Sequence, residues 1–201
     1  MRSGKRIHSL AAGAFLLALL SLGVLAMTVS NEDLIARRSG DLIRVTTPRL
    51  HFITGKSLQR LHDGSIVPFD FQLSLATGTK SNVIERAFER FTVSYDVWEE
   101  RFSVVRLRDF HKSASNLSAN AAESWCLENI LARTPALPTD RQLWARLEVR
   151  SAEPKEPSSS PYADPGISIT TLIGIFSRPP RPAQDHWSLE SGAFRLSDLK
   201  P

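Results

Sequence analysis

The sequence predicts an α+β protein, mainly β, with an antiparallel sheet of about six strands and one or two covering helices. Apolar and polar residues alternate over 69–75, 91–97 and 143–149, where only Trp144 interrupts the polar row. Strands that bury one face and leave the other in water show this pattern. Such alternation favours antiparallel pairing, because parallel strands are buried on both faces. An apolar stripe in residues 118–133 predicts a helix that covers one face of the sheet.

The first 30 residues differ in kind from the rest. Arg2, Lys5 and Arg6 precede a segment from Leu10 to Val29 that carries no charged side chain. Twenty apolar residues at about 1.5 Å each span roughly 30 Å, the thickness of the hydrocarbon of a bilayer. We predict a single-pass membrane anchor that holds the following domain outside the cytoplasm. The alternative is a signal peptide cleaved near Ala26, which would leave a secreted or periplasmic protein.

Behind this segment, the sequence predicts a tether at 31–41 and a single β-rich domain at 42–201. Strand pieces are expected at 42–45 and 50–53, interrupted at Pro48, which cannot donate to a sheet. Residues 151–166 contain four prolines and four serines, which predicts an exposed loop. Short helical turns are expected at 55–62, capped by Ser57 and ended by Gly64, and the covering helix is expected to have its cap at Ser118 or Asn120. The apolar run at 167–177, rich in β-branched residues, fits a helix or a strand, and we favour a helix. A last strand is expected within 186–194.

Charge excludes a nucleic-acid-binding role for the exported part. The chain has 25 basic and 21 acidic residues, but three of the basic ones lie before the apolar segment. Without them the balance is 22 to 21, a net charge of +1, so no basic field remains to attract phosphates. The single cysteine, Cys126, forms no internal disulfide, and we interpret it as a small buried side chain.

The most suggestive cluster of polar residues lies in a predicted hairpin. Asp96, Glu99 and Glu100 crowd near Tyr95 and Trp98, as paired carboxylates do in some acid–base catalysts. Catalysis by such a pair requires that burial shift one of the two carboxyl groups. The alternation places Asp96 on the solvent-exposed face of its strand and both glutamates at the turn. We therefore interpret the cluster as part of the structural scaffold and not as a catalytic site.

Short motifs elsewhere lack parts that their chemistry requires. Gly55-Lys56-Ser57 follows a predicted strand, but Leu50 stands where a phosphate loop has its first glycine. Lys80 does not adjoin Gly78, so 77–81 also reads as a turn. Ser191-Gly192 lacks the upstream glycine of a nucleophile elbow, and the Ser-x-x-Lys spacing from Ser197 lies at the extreme end of the chain.

The histidines show no metal-binding spacing. None of the five is three or four residues from another, so no helix carries a pair on one face. We therefore predict no metal site, no cofactor and no catalytic residue, although histidines distant in sequence can assemble in space. The histidines are His8, His51, His62, His111 and His186, with Asp109 near His111 and Asp185 beside His186.

The order of the motifs resembles a bacterial family of short exported or membrane-anchored proteins built on a single domain of unknown function. The resemblance covers about residues 42–199. It is carried by LHFITGKSLQRLHDGSIVPFDFQLSL at 50–75, Tyr95-Asp96, LWARLEVR at 143–150 and HWSLES at 186–191. The family has no assigned activity, so the resemblance implies no catalytic residue. Its recurrent positions are Gly64, Tyr95, Trp187 and Ser191, which act as packing and turn residues.

These observations favour an envelope protein that is a non-catalytic interaction or accessory module over an enzyme. Its partners would be the membrane, through the segment from Leu10 to Val29, and another protein, through a sheet edge or the loop at 151–166. One alternative is a lipid or apolar-ligand binding protein, in which Phe69, Phe71, Leu73 and Leu75 line a pocket. Another alternative is a hydrolase that uses His111 or His186 with nearby acids.

Overall fold

The structure is a computed structural model that describes residues 34–108, 112–134, 138–152, 168–182 and 184–199. These residues belong to one compact unit. The predicted membrane segment lies outside them, as do Asp109, His111 and most of the predicted loop at 151–166.

The described residues form ten strands and three helices, so the prediction of a mainly β protein is confirmed. The helices are α1 (Gly55–His62), α2 (Ala119–Asn129) and α3 (Ile169–Phe176). The strands are β1 (Ile35–Ser39), β2 (Leu42–Thr46), β3 (Val67–Thr77), β4 (Val83–Asp96), β5 (Arg101–Arg106), β6 (Ser113–Leu117), β7 (Ala132–Arg133), β8 (Gln142–Ser151), β9 (His186–Glu190) and β10 (Phe194–Arg195).

The main sheet of the described chain has seven strands, one more than predicted, and every pairing in it is antiparallel. Its order is β10-β8-β3-β4-β5-β6, and β9 pairs with β8 along the same edge as β10. The strands β1, β2 and β7 form a separate antiparallel sheet. The three segments with alternating residues became β8 and the two strands at the centre, β3 and β4.

The odd-numbered residues of β3 form the centre of the hydrophobic core. Phe69, Phe71, Leu73 and Leu75 are fully buried. The ring of Phe52, from the segment before α1, lies edge-on to Phe69 at 4.8 Å and to Phe71 at 5.3 Å. These rings fill the space beside the sheet, as expected for a close-packed interior.

The opposite, polar face of β3 was predicted to be exposed to solvent, and this prediction is wrong. Asp70 and Ser74 are buried there. Helix α3 packs over this face, where Phe176 contacts Phe88 of β4 at 5.9 Å between ring centroids. Arg150 of β8 holds the end of the helix in place. Its guanidinium donates hydrogen bonds to the carbonyl oxygens of Ile175 and Arg178 at 2.8 Å each. The same group lies over the ring of Phe176. A carbonyl-rich helix C-terminus favours such a cation.

Two predicted segments near the start of the domain take other structures. Residues 50–53 are not a strand: Leu50, Phe52 and Ile53 are buried side chains of an irregular segment. Residues 35–39, assigned to the tether, form β1 and pair with β2. Apolar runs this short do not distinguish a strand from a core-filling loop.

Helix boundaries were predicted in part. Gly64 ends α1 with φ of +80°, which favours glycine, and Ser118 caps α2 by accepting a hydrogen bond from the N–H of Ala121. The prediction for Ser57 is wrong, since Thr54 holds the N-cap position of α1. Helix α2 stops at Asn129, before the predicted end, because Ile130 turns to an extended conformation and leads into β7.

The predicted helix at 167–177 is confirmed as α3, and the predicted last strand is divided into β9 and β10. The division lies at Ser191, whose hydroxyl oxygen accepts a hydrogen bond from the N–H of Ala145 at 2.8 Å. The serine side chain thus satisfies a backbone N–H group of β8 at the point where the regular pairing with β9 ends. This contact explains a serine at this position without any catalytic role.

Candidate interaction surface

The turn between β4 and β5 is held in shape by its own side chains. The Asp96 carboxylate oxygen Oδ1 accepts hydrogen bonds from the N–H groups of Trp98 and Glu99, at 2.8 and 3.1 Å. Glu100 completes the turn with φ of +54°, a conformation that few residues other than glycine adopt. Asp96 therefore acts within the turn, in agreement with its interpretation as scaffold.

The apex of this turn exposes large apolar side chains. Trp98 is 95% exposed and Val97 is 59% exposed. Ile66, which precedes β3 at the same end of the sheet, is 64% exposed. Tyr95 differs from them, since its ring lies 4.6 Å from that of His62 and 4.8 Å from that of Phe102. The aromatic cluster noted in the sequence thus separates into a packing residue, Tyr95, and an unpacked one, Trp98.

The apex is also acidic. Asp96, Glu99 and Glu100 are exposed around Trp98, and Arg101 is the one exposed base within 96–101. We call residues 96–101 the hairpin tip. An anionic membrane surface would repel this charge, whereas a basic protein surface would attract it.

Residues 151 and 152, with which the predicted loop begins, lie at the end of the sheet where the hairpin tip lies. The N–H of Ala152 donates to the carbonyl oxygen of Pro68, near the start of β3, at 2.8 Å. Both features considered for partner binding therefore begin at one end of the central strands. The structure describes the loop only as far as Ala152.

The edges of the main sheet are less suited to adding a strand from a partner. The edge strand β6 has five residues, and its register with β5 shifts between Phe102 and Val104. The other edge is interrupted between β9 and β10. Short or interrupted edges are typical of sheets that do not pair with other chains.

The three histidines that the structure describes do not gather into a metal site. Within the described residues, no three His, Cys, Asp or Glu side chains are placed to hold a metal ion. His51 contacts Glu123 at 3.0 Å, His62 packs on Tyr95, and His186 lies in β9. Asp185 accepts a hydrogen bond from the hydroxyl of Ser57 at 3.0 Å. His8 and His111 lie outside the described residues.

Two buried glutamates were not identified from the sequence. Glu123 accepts a hydrogen bond from the N–H of Ile53 at 2.8 Å, which helps to hold the segment before α1. Glu89 accepts one from Arg106 at 2.6 Å, and no partner among the described residues reaches its second oxygen. Position gave a signal for both: Glu89 lies two residues before the buried Phe91 on β4, and Glu123 shares the buried face of α2 with Cys126. Glutamate is rarely buried, so residue type alone argued against this placement.

The remaining motifs are structural. Lys80, in the turn at 77–81, forms an ion pair with Glu190 at 2.7 Å, and the hydroxyl of Ser197 donates to Asp198. Cys126 is fully buried. Burial, and next the nearby Glu123 carboxylate, raise the pKa of its thiol well above the ordinary value, so the reactive thiolate is disfavoured.

A hollow of about 210 Å³ opens at the other end of the sheet, beside the turn between β3 and β4. It is lined by Thr77, Gly78, Asn82, Arg141 and Gln142. Because β4 runs antiparallel to β3, this hollow and the hairpin tip lie at opposite ends of the central strands.

Comparison of the chain with protein-family models, with curated proteins and with solved structures finds no match. The resemblance to a family of exported proteins therefore stays a prediction. No helix in the described part of the chain combines the length and apolar character needed to cross a bilayer.

Proposed function

We propose that the protein is a non-catalytic interaction module that lies outside the cytoplasmic membrane and contacts another protein through the hairpin tip. The observation that carries the proposal is the exposure of Trp98 at the apex of the tip. Tryptophan is one of the residue types that most often dominate the binding energy of protein interfaces.

The support for the hairpin tip is its pre-formed shape. The two hydrogen bonds to Asp96 fix the backbone on which Trp98 stands. A side chain presented on a rigid support loses less conformational entropy on binding than one presented on a loose loop. Single exposed apolar residues are common on protein surfaces. Here two of them, Val97 and Trp98, are adjacent at the apex of a turn and do not pack into the hydrophobic core.

The envelope location is supported by the sequence, through the basic start and the apolar segment from Leu10 to Val29. A protein held at a membrane by its N-terminus presents its domain to neighbouring envelope proteins. The hairpin tip would then act within a layer where such partners are concentrated.

The test uses the full chain in cells, with the photoreactive residue p-benzoylphenylalanine at position 98. Illumination should produce an adduct with a protein at this position. The matched control carries the same residue at position 128, because Glu128 is exposed and belongs to α2, not to the hairpin tip. Equal crosslinking at both positions, or none at position 98, would contradict the proposal.

A further inference from the structure

The walls of the hollow are tied together by hydrogen bonds. The hydroxyl of Thr77 donates to the carbonyl oxygen of Gln142, and the side-chain amide of Asn82 donates to the carbonyl oxygen of Thr77, both at 3.1 Å. The hollow therefore exists before any partner arrives. At about 210 Å³ it is smaller than pockets for drug-sized ligands, which hold roughly 300–1,000 Å³. Its size suits one large side chain.

The hollow presents one basic side chain to a partner, whereas the hairpin tip presents three acidic ones; the exposed Asp140 adjoins the hollow but does not line it. Arg141 lines the hollow and is exposed. Among the residues that the structure describes, no hydrogen bond or ion pair engages its guanidinium group. A guanidinium binds carboxylates through paired N–H groups and also stacks on the face of an indole. Glu99, Glu100 and Trp98 offer both kinds of group at the tip.

We propose that the hairpin tip of one copy of this chain docks into the hollow of a second copy, with Trp98 inside the hollow and Arg141 paired with Glu99 or Glu100. The inference rests on the proposed function, since both use Trp98 as the anchor, and it names the partner as the same protein.

The position of the two surfaces determines the kind of assembly. The tip and the hollow lie at opposite ends of β3 and β4, so one copy can use both surfaces at once. Contacts between two different surfaces of identical chains are head-to-tail, and they extend into filaments or close into rings. Docking of this kind would give rows of the protein, not only dimers.

The experiment compares full-length variants in the same detergent by sedimentation velocity. Trp98→Ala removes the anchor and keeps the hollow, while Arg141→Glu keeps the tip and reverses the charge at the hollow. Each variant alone should self-associate at least about tenfold more weakly than the unaltered chain, because loss of a central anchor has effects of this size. Any association through the N-terminal segment is common to all samples.

Mixing the two variants supplies the decisive measurement. A mixture contains one intact tip, from Arg141→Glu, and one intact hollow, from Trp98→Ala. Head-to-tail docking through these surfaces predicts that the mixture forms pairs and nothing longer. Circular dichroism melting of each variant checks that it is folded, which we expect because both positions are exposed.

Three outcomes would overturn the inference: an unaltered chain no larger than its variants, variants that associate as strongly as the unaltered chain, or a mixture that forms no pairs. If position 98 then crosslinks only to a different protein in cells, the proposed function stands and only the identity of the partner is wrong. If position 98 crosslinks to nothing, both proposals fail. Insertion of Trp98 into anionic vesicles, unaffected by Arg141→Glu, would also count against self-docking.

Discussion

Asp70 and Arg90 lie directly opposite each other on β3 and β4, and both guanidinium contacts to the carboxylate are short, at 2.5 and 2.6 Å. Asp70 is buried, and Arg150 occupies the facing position on β8. One carboxylate thus sits between two arginines in a row that crosses the three central strands. The row ties the sheet to α3, because Arg150 also binds the carbonyl oxygens at the end of that helix.

We expect Asp70→Ala to destabilise the domain by about 3–5 kcal/mol, since removing the buried carboxylate leaves the buried Arg150 and the partly buried Arg90 without this counter-charge. Urea unfolding measures the loss. The matched control is Lys80→Ala, which breaks an ion pair at the surface and should cost no more than about 1 kcal/mol. Similar losses for the two variants would show that the buried row does not stabilise the fold.

Truncation of two aromatic residues should lower the free energy of unfolding by very different amounts. Phe52→Ala removes a fully buried ring and should cost about 3–5 kcal/mol through lost burial and the cavity left behind. Trp98→Ala should change the free energy of unfolding by no more than about 0.5 kcal/mol, because the side chain is exposed. A large loss of stability for Trp98→Ala would mean that the tip supports the fold, and the argument for binding would weaken.

The ion pairs of Glu190 should give the stability a pH dependence. Hydrogen bonds from Lys80 and then Arg146 lower the pKa of Glu190 below its ordinary value of 4.5. Because the folded pKa is the lower one, the contribution is present above the unfolded pKa and is lost as pH falls through the folded pKa. Melting temperatures of the unaltered chain and Glu190→Gln should therefore differ at neutral pH and converge in acid.

Salt provides the check on this interpretation. The Glu190 side chain is 35% exposed, so salt at about 1 M should screen its ion pairs and shrink the difference at neutral pH. If the difference in melting temperature between the unaltered chain and Glu190→Gln persists in acid, or does not change with salt, the substitution alters something other than charge.

The thiol of Cys126 should resist modification in the folded protein. The side chain is fully buried, and burial raises its pKa, so both access and thiolate formation are unfavourable. Labelling with iodoacetamide at neutral pH should be slow for the native chain and rapid in denaturant, followed by mass spectrometry. Rapid labelling of the native chain would indicate that α2 opens readily.

Local sequence patterns predicted the elements whose faces differ clearly in polarity. Alternation located β3, β4 and β8, and the cap at Ser118 located the start of α2. The error on the polar face of β3 has a physical cause. Period-two patterning shows which side chains share a face, but not whether a distant segment covers the polar one. Asp70 is buried on a face that α3, about one hundred residues later in the chain, covers through its contacts with Phe88 and Arg150.

The sequence predicted the residues of the candidate surface only in part. The hairpin, its acids and its aromatic residues were all noted, but nothing in their order separated Tyr95 from Trp98. Their difference depends on His62 of α1, which packs against Tyr95 and leaves Trp98 without cover. The hollow likewise joins residues from two distant turns and has no local signal.

The sequence by itself located the longest regular elements, β3, β4, β8 and α2, because these depend on periodicity, caps and turn residues within a few positions. Only the tertiary structure decided which polar residues are buried and which large apolar residue stays in water. Burial is set by segments far apart in the chain, and no local pattern contains that information.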